Sequence, residues 1–263
     1  MLNMNYVDET DFLQEENYLF NIQGEGIKKA FERRNVECSL LQNKENVYQY
    51  IKMFIEEHPD IKKIAFSDSV TLYQLGLFDW VSENYSHLDV NQPLKRSKTG
   101  HYAVFGEFSD DKMNLPRDEF NIKNAKRIDA CRQALLCDLF IISANAITQN
   151  GEIISIDGLG NRVSGMIFGP KYVLCIVRKN KICSNIDDAL DHIHNYVVPR
   201  VYVRHMLKHH ATAFADAPCL KTGKCLDCYN EISSCRNTVI IRGQIKTHKD
   251  RIHLLLINQN LGF

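Results

Sequence analysis

Short, continuous apolar runs alternate along this chain with segments whose apolar residues recur at helical spacing. The runs lie at residues 64–66, 139–142, 153–156, 172–177, 239–241 and 252–257. Helical spacing marks the segments 47–55, 72–77, 122–135 and 186–197. Strands buried on both faces show no polar alternation, because helices cover both sides of a parallel sheet. The alternation therefore predicts an α/β fold with a mostly parallel sheet between two layers of helices.

Local signals give several helix ends. Asn43 precedes the first periodic segment, and His58 ends it because a residue before proline avoids the helical region. Ser67-Asp68-Ser69 directly follows the run at 64–66 and opens a new helical pattern. Ser184-Asn185 precedes a helix with two aspartates in its first turn. A strand at 64–66 is thus expected to run directly into a helix start.

The 263 residues divide on this pattern into a helical lead-in at 1–60, packed on one α/β domain at 61–263. The polar stretch 92–118, with two prolines and two glycines, is expected to be a long excursion or lid that contains a strand at 102–105. A hydrophobic fraction of 44% provides for a core without help from a metal.

Charge and hydropathy limit the possible partners. Lys+Arg and Asp+Glu both number 32, so the chain has no broad field for nucleic acid or anionic lipid. Apolar runs stay well short of the roughly 18 residues of a membrane span. Residues 1–16 are acidic and polar, unlike a signal peptide, so we expect a cytoplasmic protein.

Nine cysteines are present, and in a reducing cytoplasm they are not expected to form structural disulfides. Five of them occur singly, several inside apolar runs, and are predicted to be small core residues. These five are Cys38, Cys131, Cys137, Cys175 and Cys183.

The other four cysteines lie within seventeen residues. Cys225 and Cys228 form a C-x-x-C pair, and Gly223 lets the chain turn so that Cys219 and Cys235 can complete the set. Four thiolates suit tetrahedral zinc or an iron–sulfur cluster, and the spacing does not distinguish the two. The alternatives are unligated thiols or a redox pair. Nearby histidines at 205, 209 and 210 are expected at the surface, because four sulfurs already complete a tetrahedral set.

A second group of candidate residues surrounds the glycine-rich segment 145–162. It begins at Asn145 and ends with Asp157, Gly158, Gly160, Asn161 and Arg162. Glycines let backbone N–H groups approach an anion, and a guanidinium binds carboxylate or phosphate. Asp-Gly and Asn-Gly are also ordinary turn dipeptides, so a plain turn is the alternative.

Two further pairs of polar residues follow strand ends. Ser69 and Thr71 can bind a ligand or simply cap a helix, and Asn180 with Lys181 can bind a ligand or be solvated surface. Glu152 and Asp157 are the acids of the glycine-rich segment, and neither is assigned as a general base. Catalytic residues therefore stay unknown.

In combination, these segments resemble the lactate-utilization family, whose shared domain is abbreviated LUD. The matching segments are Ser69-Val-Thr-Leu-Tyr-Gln-Leu-Gly76, Ala144-Asn-Ala-Ile-Thr148 with Gly151, Ile156-Asp-Gly-Leu-Gly-Asn-Arg-Val163, Met166-Ile-Phe-Gly-Pro170, Asn180-Lys-Ile182, Pro218-Cys219 through Cys228 with Cys235, and Ile257-Asn-Gln-Asn-Leu-Gly-Phe263. Where the family has glycines before the Ser-Val-Thr segment, this chain has Ser67-Asp68.

The resemblance implies a Rossmann-like three-layer sandwich akin to the sugar-phosphate isomerase and CoA-transferase group. It also implies a subunit or accessory of a system that oxidises lactate to pyruvate, working with iron–sulfur partner subunits. A small organic anion or nucleotide would then occupy the glycine-rich pocket. The alternatives are a stand-alone enzyme of the isomerase or CoA-transferase type, and a zinc-bearing interaction module.

Overall fold

The computed structural model describes residues 12–91, 94–96, 102–104, 116–209, 212–229 and 233–261. The helices are α1 (Leu13–Glu32), α2 (Lys44–Glu57), α3 (Val70–Gln74), α4 (Leu77–Asn84), α5 (Arg117–Ala134), α6 (Asn161–Ile167), α7 (Ile186–His192), α8 (Val198–His209) and α9 (Pro218–Thr222). The strands are β1 (Glu37–Leu41), β2 (Lys63–Phe66), β3 (Asp89–Asn91), β4 (Leu94–Arg96), β5 (Tyr102–Val104), β6 (Leu139–Ile142), β7 (Ala146–Thr148), β8 (Ile153–Asp157), β9 (Tyr172–Arg178), β10 (Ile182–Cys183), β11 (Asn237–Ile241) and β12 (Ile252–Ile257). Much of the predicted lid at 92–118 lies outside the described residues; β4 and β5 within it pair antiparallel.

A six-stranded parallel sheet forms the centre of the molecule. Its strand order is β1-β12-β9-β6-β2-β3, and every neighbouring pair is parallel. In register, Cys175 of β9 lies between Leu254 of β12 and Ile142 of β6. This arrangement confirms the predicted α/β class with a mostly parallel sheet.

The central sheet is buried on both faces. Leu139 and Ile141 of β6 pack with the residues of α2, α3 and α4 on one face, whereas Phe140 and Ile142 pack with α1 and α6 on the other. Successive side chains of a strand point to opposite faces, so each apolar run supplies two cores at once. This is why these strands appear in the sequence as continuous apolar runs.

Two of the predicted strands belong to a second, smaller sheet. β8 and β11, the runs near 153–156 and 239–241, pair antiparallel in a four-stranded sheet of order β10-β7-β8-β11. β7 and β8 form a hairpin, closed at Gly151, whose φ of 87° favours glycine. An apolar run indicates burial but not the partner strand, so the sequence did not separate the two sheets.

The predicted helical lead-in at 1–60 needs correction. Helices α1 and α2 are present, but residues 37–41 between them form β1, the edge strand of the central sheet. The proposed boundary at residue 60 therefore falls inside one sheet rather than between two bodies. Glu37 and Ser39 interrupt the apolar run of this short strand, which removed the signal on which the other strands were predicted.

Helix starts follow the local signals closely. The Oδ1 atom of Asn43 accepts from the N–H of Asn46, and that of Asn185 accepts from the N–H of Asp188. The helical pattern through 72–77 forms two helices, α3 and α4, because Gly76 adopts a φ of 65°. Beyond α7, a π-helical turn at residues 193–197 continues directly into α8.

Candidate functional site

A cavity of about 470 Å³ opens where several strands end. Its walls include residues that follow the carboxyl ends of β2, β6 and β9, which are adjacent strands of the central sheet. Residues that follow the carboxyl end of β8, in the small sheet, also line it. Ligands of open α/β sheets bind at this edge, since the loops that follow the strands converge there. The helix α8 closes the opposite side of the cavity.

Eight of the ten predicted ligand-binding residues line this one cavity. They are Ser69, Thr71, Asn145, Asp157, Gly158, Asn161, Arg162 and Lys181. The other two, Gly160 and Asn180, are not among the lining residues. Gly160 instead provides the left-handed residue, with a φ of 93°, that precedes α6.

Arg162 is held beside the cavity by an ion pair. Its Nε donates to Oδ2 of Asp157 at 2.8 Å, and its Nη2 donates to the carbonyl oxygen of Ile156 at 2.8 Å. Oδ1 of Asp157 accepts from the N–H of Gly160, which fixes the turn before α6. The residues predicted to form a turn and those predicted to bind a ligand therefore belong to one hydrogen-bonded segment. The bonds of Arg162 use Nε and Nη2, and among the described residues Nη1 makes no hydrogen bond.

Lys181 is buried, not solvated as the surface alternative would have it. Only 6% of the residue is exposed. Its Nζ donates to the carbonyl oxygen of Ala144 at 2.7 Å, to Oγ of Ser143 at 3.2 Å and to Oγ1 of Thr71 at 3.5 Å. Burial, with smaller contributions from the charges of Arg178 and Arg162, lowers the pKa of Lys181 to about 7.

Three hydroxyl groups line the floor of the cavity around this lysine. Ser69 stands at the start of α3, but its side chain makes no capping bond, so the simple capping role proposed for it is wrong. Thr71 is 1% exposed and accepts from Oγ of Ser143 at 3.3 Å. Ser143 was missed in the sequence, although it directly follows the run 139–142 as Ser67 follows the run 64–66.

Charged side chains also line the cavity. Among the described residues, four basic side chains line it together with two carboxylates: Arg127, Arg162, Lys181 and Arg204, with Asp68 and Asp157. Asp68 accepts from the hydroxyl of Tyr73, and its charge acts on Arg127. Burial lowers the pKa of Arg127. The basic side chains of the cavity thus outnumber the acidic ones on a chain of zero net charge, which favours anionic over cationic ligands.

The remaining wall is apolar and belongs to α8 and its flanks. Val197, Val198 and Tyr202 are buried, and Tyr202 stacks on Phe214 with 5.0 Å between ring centroids. His205 also stacks on Phe214 and lines the cavity, so its assignment to the free surface is corrected. Of the other predicted surface histidines, the His209 side chain and His210 lie outside the described residues.

Of the four clustered cysteines, Cys219 lies in α9, Cys225 and Cys228 lie in the loop that follows it, and Cys235 comes shortly before β11. Burial raises the pKa of Cys219, and the charge of Cys228 raises it further. Burial also raises the pKa of Cys235; hydrogen bonds with Tyr202 and Ser233 lower this pKa, and the charges of Cys225 and Cys219 raise it. The N–H of Asp227, which has a φ of 51°, lies 3.5 Å from Sγ of Cys225. This turn inside C-x-x-C directs an N–H group at a sulfur.

Two groups outside the four cysteines approach this loop. Nδ1 of His194 lies 3.5 Å from Sγ of Cys225, and Oδ1 of Asn195 accepts from the N–H of Cys225. His194 was missed because it lies thirty residues upstream, in the π-helical turn. In the described part of the chain, no three His, Cys, Asp or Glu side chains stand in an arrangement that already fits a metal ion. Of the five single cysteines, four are buried and Cys183 is half-buried.

Comparison with known proteins identifies the family to which the chain belongs. The family model of the LUD domain matches residues 24–257. A crystal structure of a DUF162 family protein from Deinococcus radiodurans is similar, with 10% identity, coverage of 93% of this chain and 97% of that chain, and a TM-score of 0.39. A search of curated proteins finds no match.

The chain is thus an α/β protein with a cavity at the ends of its parallel strands, lined by more basic than acidic side chains. It belongs to the LUD domain family, the lactate-utilization proteins. Among the helices of the described residues, none has the length and apolar character to cross a membrane.

Proposed function

We propose that the cavity binds a small organic carboxylate of the lactate and pyruvate class. In this proposal the chain serves as a subunit or accessory of a system that oxidises lactate to pyruvate. The observation that carries it is the pair of basic side chains that line the cavity near the strand ends, Arg162 and the buried Lys181. Family membership supports the link to lactate, and the geometry supports the class of ligand.

The groups around the cavity match the functional groups of a hydroxy or oxo acid. Nη1 of Arg162 can donate to a carboxylate, and charge-assisted bonds of this kind are the strongest that a pocket offers. The hydroxyls of Ser143 and Thr71 can bond the oxygen at the second carbon. Oδ1 of Asn145 accepts from the N–H of Ile156, which leaves its amide nitrogen to donate to the same ligand.

Ligand titration of paired arginine variants tests the proposal. Arg162→Gln should weaken pyruvate or lactate binding about 10- to 100-fold, the loss expected for a charged hydrogen bond worth roughly 1.5–3 kcal/mol. Arg34→Gln is the matched control, because Arg34 also pairs with a nearly buried carboxylate, Glu152, at 2.9 Å, but away from the cavity. The control should bind as the wild type does.

Other outcomes identify the alternatives. Binding of ADP or coenzyme A with no binding of three-carbon acids would replace the small anion by a nucleotide. Turnover by the isolated chain would favour a stand-alone enzyme of the isomerase or CoA-transferase type. Co-purification with iron–sulfur subunits would support the role in lactate oxidation. If every anion fails to bind, the proposed ligand class is wrong and a zinc-bearing interaction module becomes the better description.

We also propose that Cys219, Cys225, Cys228 and Cys235 hold a metal, either zinc or an iron–sulfur cluster. The charges of these thiols act on one another, which indicates that the thiols lie near each other, and the N–H of Asp227 is directed at Sγ of Cys225; both observations support the proposal. Thiolates suit both centres. A zinc ion would stabilise the loop after α9, whereas an iron–sulfur cluster would transfer electrons.

Metal analysis and an absorption spectrum of anaerobically purified protein separate these possibilities. Iron and sulfide with a brown chromophore would identify a cluster, and one zinc in a colourless solution a structural site. Cys225→Ser should abolish the metal, while Cys183→Ser, a half-buried cysteine outside the loop, should retain it. Metal-free wild-type protein would refute the site.

A further inference from the structure

We infer that Lys181 is a nucleophile that forms a covalent imine with the carbonyl carbon of a 2-oxo acid bound in the cavity. This inference rests on the proposed function for the class of ligand, and it adds the reacting atom. No other lysine lines the cavity among the described residues, and Lys181 lies at its floor, between the ends of β6 and β9.

The surroundings of Lys181 favour a free amine. All three of its hydrogen-bond acceptors are neutral oxygens, from Ala144, Ser143 and Thr71. The described part of the chain places no carboxylate within salt-bridge distance of it, and the charges that act on it most strongly are those of Arg178 and Arg162. A buried ammonium without a counter-ion is costly, so such a lysine loses its proton readily.

Protonation sets the reactivity. With a pKa of about 7, about half of Lys181 is free amine at neutral pH, against roughly one in 2,500 for a lysine of ordinary pKa near 10.4. The free amine is the form that attacks a carbonyl, and desolvation of a lysine is a known means of activating it.

The reaction is balanced without an oxidant or reductant. The lone pair of Nζ attacks the carbonyl carbon, and the π electrons move to the carbonyl oxygen. A proton passes from nitrogen to that oxygen through the hydroxyls of Ser143 and Thr71, which lie 3.3 Å apart. Loss of one water from the carbinolamine gives the imine. Arg162, across the cavity, holds the carboxylate and so brings the carbonyl to Nζ.

Reductive trapping tests the inference. The full-length protein is incubated at pH 7 with pyruvate and sodium cyanoborohydride, and the labelled lysine is found by intact mass and peptide mapping. We expect one adduct, on Lys181, formed on the order of 10³ times faster than on an average surface lysine, the ratio of free-amine fractions. Lactate, which has no carbonyl, should give none. Lys181→Arg should lose the adduct, and Lys171→Arg, a half-exposed control, should keep it.

The outcomes separate this inference from the proposed function. If pyruvate binds in a calorimetric titration but labelling of Lys181 stays at the rate of surface lysines, the imine is refuted and the carboxylate site stands. If pyruvate does not bind at all, the proposed function fails and the imine with it. Mapping of the wild-type adduct decides the question even where Lys181→Arg does not fold.

Discussion

The charge state of Lys181 can be measured through the stability of the protein. Replacing it with methionine removes the titrating group and keeps a side chain of similar length. The folded-state pKa of about 7 lies below the ordinary value, so between pH 7 and about 10.4 the unfolded chain binds a proton that the folded chain does not. Stability contributed by this group therefore rises with pH, and the cost of the buried charge is present in full only below pH 7.

The size of the effect follows from these two values. Between pH 6 and pH 8.5, the wild type should gain about 2 kcal/mol of unfolding free energy relative to Lys181→Met. The absolute difference at one pH also contains the lost bonds to Ala144 and Ser143, which do not depend on the titration. The pH dependence of the difference in unfolding free energy between the wild type and Lys181→Met therefore reports the titration of Lys181 alone.

Urea unfolding at several pH values gives the measurement, with midpoints and slopes compared between the variants. Lys171→Met is the control, since Lys171 is exposed and its pKa is raised by Asp138, outside this pH window. Its difference from the wild type should stay constant from pH 6 to 8.5. A constant difference for Lys181→Met as well would show that Lys181 stays protonated, and would remove the basis for its reactivity.

Two further predictions concern the fold around the site. Gly165→Ala should destabilise the protein by about 1–3 kcal/mol in thermal or urea unfolding, because the added Cβ would lie 2.6 Å from the ring of buried Phe140. Gly26 lies on the exposed face of α1 with open space around it, so Gly26→Ala should instead stabilise the protein by roughly 0.5–1 kcal/mol. Asp138→Asn should cost about 1–3 kcal/mol at pH 7, since Asp138 accepts from the N–H groups of Lys62 and Lys63 and pairs with Lys171. Burial alone would raise the pKa of Asp138, but these partners lower it, so the difference should shrink as pH falls through its folded-state pKa, and no change with pH would contradict the assignment.

The sequence predicted those features of the fold that depend on a single local segment, such as a buried strand or a helix cap. The parallel sheet followed from apolar runs such as 252–257, because a strand buried on both faces needs no polar residue. The cap at Asn185 followed from a single residue type at a helix start. β1 was not predicted, since its edge position tolerates Glu37 and Ser39, and pairing with β12 is a property of the whole chain.

For the site, strand ends were the informative signal. Ser69, Asn145 and Lys181 each come shortly after a strand and Asp157 ends one, and the convergence of those strand ends made their meeting predictable. The burial of Lys181 was not predictable, because a lysine in a polar tripeptide normally faces water. Arg127 and Arg204 reach the cavity from α5 and α8, and helix patterning does not reveal which charged residue turns inward.

The cysteine loop and the cavity share a wall, which leads to one last prediction. Ser234, next to Cys235, lines the cavity, and its N–H donates to the hydroxyl of buried Tyr202 at 2.7 Å. Its Cα lies 3.2 Å from the Cβ position of Gly158, in the glycine-rich turn. A metal that fixes Cys235 would therefore fix this wall, and we expect metal-loaded protein to bind pyruvate more tightly than metal-free protein.

The metal and pyruvate must change each other's affinity reciprocally, and this reciprocity determines how the prediction is tested. Allosteric couplings of this kind are typically about 5- to 150-fold, and pyruvate must raise the metal affinity by the same factor as the metal raises the pyruvate affinity. Titrating pyruvate into loaded and metal-free protein, and metal into protein with and without saturating pyruvate, measures both factors. Equal pyruvate affinity in metal-loaded and metal-free protein would show that the cysteine site is structural and is not coupled to the cavity. Two factors above one would establish the coupling that the shared wall of Ser234 and Tyr202 predicts.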